Sequence, residues 1–388
     1  MQASAAKLHV LHTESSRNWG GQEYRILDQI RWLLGHGHEA ALAAPEDSEI
    51  LARARREGLP AHAVNFRGSY SPTAIAHLRR LIRRGRFDVV DVHGAHDATT
   101  GGCARDISCI VRSLHVYTPQ KNSGLRRLSW RWLCHHAIAT AECIKRQLVM
   151  LRFKSAERIS VVGEWAGAEF FDDRRTAQAR SDVRRELGLA SDSVLFAVIG
   201  MLRPDKGQIH FIRAAAHYLK SHRDAYFLIV GSATRQHGAY EQALRETAHQ
   251  LGVGQRVLFT GYREDVARIM RATDAVVITS TTVEAQSRVA PQAFACGIPV
   301  LAGRVGGVPE LVVHQETGWL VDVGDDVGFA KGLSTIISDR GETDRIVKNA
   351  RHLAEHRLTI DCKMRETITA YERARLRGGP SVRAAATA

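Results

Sequence analysis

Two apolar runs, each ending in a polar loop that leads into a helix, constrain this chain more than any other feature. Residues 194–199 read VLFAVI and residues 275–279 read AVVIT, with none of the polar alternation of a strand that faces water. Such runs bury both faces and fit the inner strands of a parallel sheet. The first runs straight into Gly200-Met-Leu-Arg-Pro-Asp-Lys-Gly207 and then a helix. The second runs into a loop carrying Glu284, a short helix over 289–296 stopped by Gly297, and a further strand over 298–301. In open parallel sheets, ligands bind beyond the carboxyl ends of the strands. Backbone N–H groups at the helix start, near Arg288 and Val289, suit an anion there. The Glu284 carboxylate and the Gln292 carboxamide suit hydroxyl groups, so the pattern fits a phosphate attached to sugars.

The same alternation fills the whole chain. In the first half, strands are expected at 7–13, 40–44, 87–93, 108–115, 137–140 and 158–162, with helices at 22–35, 73–84 and 141–151. In the second half they are expected at 194–199, 226–231, 257–261, 275–279, 298–301 and 317–321, followed by long helices over 326–376. A chain of 388 residues is about right for two domains. The expected fold class is therefore α/β, with two doubly wound Rossmann-like domains facing a central cleft. The boundaries expected are 1–170, 171–365, and a last helix with a disordered tail over 366–388.

Charge narrows the partners. The formal net charge is +13, and residues 121–154 hold eight Lys or Arg against one acid. Such a patch attracts nucleic acid, anionic lipid or phosphorylated substrates. No zinc-finger spacing or aromatic RNA-binding signature favours nucleic acid. Within the patch, GLRRLSWRWLCHH at 124–136 reads as a basic helix. Leu125, Leu128 and Trp132 share one face, with Arg126, Arg127 and Arg131 beside it. That suits the interface of an anionic membrane, or equally a surface helix packed on its own domain. No run is apolar enough to span a membrane, and the N-terminus lacks a secretory pattern, so a cytoplasmic protein, peripheral at the inner face of the membrane, is expected. Six scattered cysteines without a Cys-x-x-Cys pair are expected to stay reduced.

The central stretch resembles the nucleotide-sugar signature of glycosyltransferase family 4, whose members have the GT-B fold. The family pattern is Glu-x7-Glu followed by Ala-x-Ala-x-Gly-x-Pro-Val. This chain has Glu284, then Gln292 in place of the second Glu, then Ala293-Phe-Ala-Cys-Gly-Ile-Pro-Val300. The resemblance implies that position 292 meets the donor ribose, where Gln keeps an acceptor and loses the charge. The 200–207 loop resembles the family's diphosphate loop. Lys206 matches its Lys, Met201 stands at its usual Arg, and Arg203 lies two residues on. Near the N-terminus, Gly20-Gly21 before a helix and then Gly35-His-Gly-His-Glu39 resemble the family's first loop. His115, at a strand end, matches a His that lies near the transferred sugar; His93 and His96 match less well. Gly306-Gly307 either lets backbone approach the donor or caps a strand.

The resemblance implies a retaining transferase that moves a sugar from a nucleotide-sugar donor to an acceptor hydroxyl, often a cell-envelope glycolipid or polysaccharide. Glu284, Lys206, Arg203 and His115 are the expected catalytic residues. Gly20, Gly21, Gln292, Arg288, Val289, Gly306 and Gly307 are expected to bind the donor. No Asp-x-Asp motif is present to hold a metal, and no cofactor beyond the donor is expected. Two other readings share these motifs: a sugar-nucleotide epimerase on the same fold, and a non-catalytic protein that binds sugar nucleotides or glycolipids.

Overall fold

Among the described residues every strand pairing is parallel. The computed structural model describes residues 7–66, 68, 70–117, 123–173, 176–233, 237–282 and 284–378. The chain divides into two units, one made of 1–115, 119–162 and 363–388, the other of 116–118 and 163–362. The expected boundary at 170 thus falls at 162. Residues 163–170 pack with the second unit because Trp165 and Phe170 bury there and the Glu164 N–H donates to Gln286 Oε1 at 3.1 Å. The last helix, Ile360–Leu376, belongs to the first unit from Lys363 onward. The tail expected to be disordered lies, from 379, outside the described residues.

In the first unit the strands are β1 (His9–Thr13), β2 (Glu39–Ala44), β3 (Ala61–Ala63), β4 (Val89–Val92), β5 (Cys109–Leu114), β6 (His136–Ala139) and β7 (Ile159–Val161). They lie in the order β3-β2-β1-β4-β5-β6-β7. The register puts His12 beside Asp91 and Thr13 beside Val92. In the second unit, β8 (Val194–Ile199), β9 (Ala225–Val230), β10 (Val257–Gly261), β11 (Ala275–Ile278), β12 (Val300–Gly303) and β13 (Trp319–Val321) lie in the order β10-β9-β8-β11-β12-β13. Each order reverses once, at β1/β4 and at β8/β11, and that reversal opens a crevice at the carboxyl ends of the strands.

The two-residue period of a strand sorts side chains to the two faces of the second sheet. Phe196, Phe227, Val277 and Leu301 bury on one face against Phe211 and Tyr218 of the helix Gln208–Tyr218. The rings of Phe211 and Phe227 meet edge to face at 5.4 Å. Val276, Ile278, Val300 and Ala302 bury on the other face against Ala293 and Phe294. Full burial of one such aromatic stabilises by about 2 to 3 kcal/mol.

One sequence expectation fails in the first unit. The basic helix stops at Trp132, not His136. The His135 N–H bonds the Ile110 carbonyl at 2.8 Å and His136 opens β6, so strand pairing claims those residues. The shorter helix is capped at both ends. Ser123 accepts from the Arg126 N–H at 3.3 Å, and the buried Lys154 ammonium donates to the Trp130 and Cys134 carbonyls at 2.9 and 2.5 Å. Trp130 is buried under Arg112, whereas Leu125, Leu128 and Trp132 are 83%, 52% and 60% exposed. Lys154 is therefore a cap, and does not add to the surface charge of the patch.

Candidate active site

The crevice of the second unit is built from two loops stitched together by backbone. After β8, the 203–207 segment turns through Gly207, whose φ of 67° lies in the left-handed region. A Cβ there would collide with the Thr279 carbonyl oxygen, so only glycine lets the loop lie this close to the end of β11. The Thr281 N–H bonds the Asp205 carbonyl and the Thr279 hydroxyl bonds the Lys206 carbonyl, both at 2.9 Å. The result is an ion pair across the switch point: Lys206 Nζ lies 2.6 Å from Glu284 Oε2. Ser280 Oγ donates to the same oxygen at 2.7 Å. Glu284 is buried, and the Lys206 side chain is mostly buried.

Two of the expected donor-site residues, Gly306 and Gly307, lie directly against the Glu284 loop. Gly306, at φ 54°, packs its turn against the Glu284 loop, where a Cβ would collide with the Glu284 carbonyl oxygen. The Gly307 N–H bonds that same carbonyl at 3.4 Å. The close approach of Gly306-Gly307 is thus to the chain's own loop, which it clamps. Arg203 faces Asp205 with a bidentate pair at 2.9 and 2.7 Å, so its charge is already balanced within the loop. Val289 opens the helix Val289–Ala295, with Arg288 before it, its guanidinium 5.9 Å from the Trp165 ring centre. Pro291 brings no N–H to that turn and the Ala290 N–H bonds Ser287 at 3.1 Å, so the helix start offers fewer donors than its position implies. Gln292 is half-buried and its carboxamide meets no partner among the described residues. Gln286, overlooked in the sequence, ties Glu164 to Glu310 at 3.1 Å on each side.

The first unit has its own polar cluster at β1/β4. Gly20 caps the helix Gly21–Gly35 in extended backbone, and its carbonyl accepts from the Tyr24 N–H at 3.1 Å. Beside it the buried Glu14 is held by Gln22 and by the Ser16 N–H. Burial, with Asp97 and Glu23 adding to it, pushes the Glu14 carboxyl up to about 8, so it carries its proton at neutral pH. His93 and His115, at the ends of β4 and β5, meet with Nδ1 and Nε2 at 2.8 Å, and His93 Nε2 lies 3.0 Å from His12 Nδ1. His96 sits in the next helix, Ala95–Gly102. Asp91 accepts from Tyr371 at 2.6 Å and Ser113 at 2.7 Å.

His12, Glu14, Asp91, Asp97 and Tyr371 were not picked out from sequence. The visible signal was a polar residue within an apolar run, as in Val89-Val-Asp-Val92. His12, Asp91 and His93 have ligand atoms within 4.8 Å of one another, the spacing of a metal site. The same three side chains, with Tyr371 and Ser113, also form a hydrogen-bonded network.

Both halves of the chain match glycosyltransferase families. Residues 179–353 match the model described as Glycosyl transferases group 1, and residues 19–164 that described as Glycosyltransferase Family 4. A solved glycosyltransferase from Rickettsia africae superposes with a TM-score of 0.85 at 18% identity, over 95% of this chain and 99% of that one. The chain is a family 4-like glycosyltransferase with the GT-B fold. Anabaena HepE, solved in complex with UDP, gives a TM-score of 0.82 at 22% identity over 94% of this glycosyltransferase and all of that chain. The D-inositol 3-phosphate glycosyltransferase of Corynebacterium efficiens is 32% identical over 281 residues, 66% of this chain and 65% of its own length. This glycosyltransferase thus spans somewhat under two thirds of that relative.

Proposed function

We propose that this protein transfers a sugar, with retention of anomeric configuration, from a nucleotide-sugar to an acceptor hydroxyl, and that its second unit holds the donor. The Lys206–Glu284 pair carries the reading. A cation and an anion fixed side by side at a switch point match the two ends of a sugar diphosphate. The ammonium meets the diphosphate and the carboxylate accepts from sugar hydroxyls. As the bond from the anomeric carbon to the phosphate oxygen breaks, its electron pair stays on the diphosphate. The acceptor oxygen forms the new bond and its proton passes to a phosphate oxygen. Lys206 stabilises the charge that grows there, and Arg203 adds to it when Asp205 is displaced. Gln292 meets the ribose. No metal and no cofactor besides the donor is required in this scheme, and a chelator is expected to leave turnover unchanged. A structural relative was solved with UDP and with UDP-glucose, which makes uridine sugars the first donors to try.

Thermal shift tests the donor assignment. UDP at a hundredfold its dissociation constant should add about 2.7 kcal/mol of stability, which raises the melting point of a domain this size by roughly 5 to 10 °C. No shift with any nucleoside diphosphate would end the proposal. Release of nucleoside diphosphate only when acceptor is present separates transfer from epimerisation and from simple binding.

The acceptor proposed is a glycolipid or glycan of the cell envelope, met at an anionic membrane by the helix Gly124–Trp132. Among the described residues no helix is long and apolar enough to cross a membrane. The helix instead presents Leu125, Leu128 and Trp132 to solvent while Trp130 and Lys154 anchor it from below. Each Lys or Arg near an anionic surface contributes about 1 kcal/mol, weakened by salt. Changing Arg126, Arg127 and Arg131 to Gln is expected to abolish flotation with anionic liposomes at low salt. Turnover of a short soluble acceptor should change little. Equal binding to neutral and anionic vesicles would leave this helix an ordinary surface element.

A further inference from the structure

The first unit has a cavity at the end of its sheet opposite the β1/β4 crevice. The crevice opens at the carboxyl ends of the strands. The cavity, of about 620 Å³, is lined instead by His9 and Glu39, the first residues of β1 and β2. His62 of the edge strand β3 lines it as well. Its other wall is the helix Pro72–Gly85, which contributes His77, Arg80, Leu81 and Arg84. Positions three, four and seven apart share one helix face, so these four side chains form a single stripe. A cavity of this volume is in the range that holds a small organic molecule.

Charge in the cavity is one-sided. The helix Pro72–Gly85 contains no acid. Glu39, the acid in the lining, is engaged by Lys7 at 2.7 Å and by His9 at 3.4 Å. Arg80 and Arg84 are exposed and meet no acid among the described residues. Partial burial and the nearby His77 lower the His62 imidazole, and no acid raises it. Two fixed positive charges and two imidazoles thus share one cavity without a counter-ion, and an anion there gains from all of them. Guanidinium groups one helical turn apart suit a phosphate, which takes paired N–H bonds from each. Leu34, Pro60, Leu81 and the Phe87 ring make the rest of the lining apolar. An inorganic ion leaves that surface wet, whereas an organic phosphate covers it. We propose that this cavity binds a phosphomonoester with an apolar or aromatic body, held by Arg80 and Arg84 with His62 and His77 beside them. The site lies within the first unit and does not rest on the transfer reading.

Isothermal titration calorimetry of the full chain with phenyl phosphate and with inorganic phosphate, at about 0.15 M salt, tests the site. Phenyl phosphate should bind about tenfold tighter than inorganic phosphate, because its ring covers the apolar lining. Arg80→Gln combined with Arg84→Gln should weaken phenyl phosphate by about a hundredfold, roughly tenfold for each charged donor removed. Arg83→Gln combined with Arg86→Gln removes the same charge from the same helix end, outside the lining, and should change affinity by about twofold or less. Lys206→Ala, in the second unit, should leave phenyl phosphate binding intact. Circular dichroism confirms that each variant is folded. Full binding by the Arg80/Arg84 variant overturns the proposal. So does an equal loss in the Arg83/Arg86 variant, which would mean diffuse attraction, or a loss found in Lys206→Ala instead, which would mean a phosphate site in the second unit. Phenyl phosphate no tighter than inorganic phosphate overturns the organic part. If no nucleoside diphosphate binds but this pattern holds, the transfer reading fails and the cavity stands.

Discussion

Lys206→Ala lowers the rate of sugar transfer at saturating donor by about a hundredfold or more, the usual loss when one group that meets developing charge is removed. The effect falls mainly on kcat, because the ammonium interacts most strongly once the diphosphate carries its full leaving-group charge. The variant also leaves the buried Glu284 carboxylate with Ser280 as its remaining side-chain partner among the described residues. Removing one member of a partly buried ion pair destabilises by about 1 to 2 kcal/mol. A melting point lowered by a few degrees is therefore part of the expected result, and circular dichroism shows whether the fold persists. A folded variant with near-normal kcat would take Lys206 out of the mechanism.

The second large effect is at Glu284. Glu284→Gln keeps the shape and can still accept from Ser280, but it loses the charge and leaves Lys206 without its counter-ion. A hydrogen bond to a charged acceptor is worth about 1.5 to 3 kcal/mol, so kcat/KM should fall roughly ten- to hundredfold. Gln292→Glu changes the other end of the motif in the opposite sense. Its carboxamide is half-buried and without a partner among the described residues, so the change should alter turnover by about threefold or less. Paired kinetics of the two variants check the order. If Gln292→Glu inactivates and Glu284→Gln does not, the roles of the two positions are reversed.

Much of the fold was legible because parallel strands buried on both faces leave unbroken apolar runs, as in Val194–Ile199 and Ala275–Ile278. Lys206 and Glu284 were legible as candidate site residues for the same reason, since each follows such a run. Their contact was not, because it depends on Gly207 letting two loops touch across 78 residues of sequence. The Arg203–Asp205 pair was readable from spacing alone, and it tempers the role that the motif assigns to Arg203. The hidden part lies in the first unit. β3 and the helix Glu49–Arg56 lack a long periodic pattern. The histidine chain needs the order of three strands before His12, His93 and His115 become neighbours. The Asp91–Tyr371 bond joins positions 280 residues apart, and no local pattern marks it.

That bond also dictates an order of events during synthesis. The second unit is nearly one continuous stretch, 163–362, whereas the first borrows its last helix from residues 363 onward. A ribosome that has delivered residues 1–162 has released a sheet whose buried Asp91 still lacks the Tyr371 hydroxyl. Leaving a buried polar group without its partner costs about 1 to 3 kcal/mol, a large fraction of what holds a domain together. The domain that emerges first is thus the one that matures last. A nascent chain stalled before residue 363 should resist protease in its later half while its earlier half is still cut.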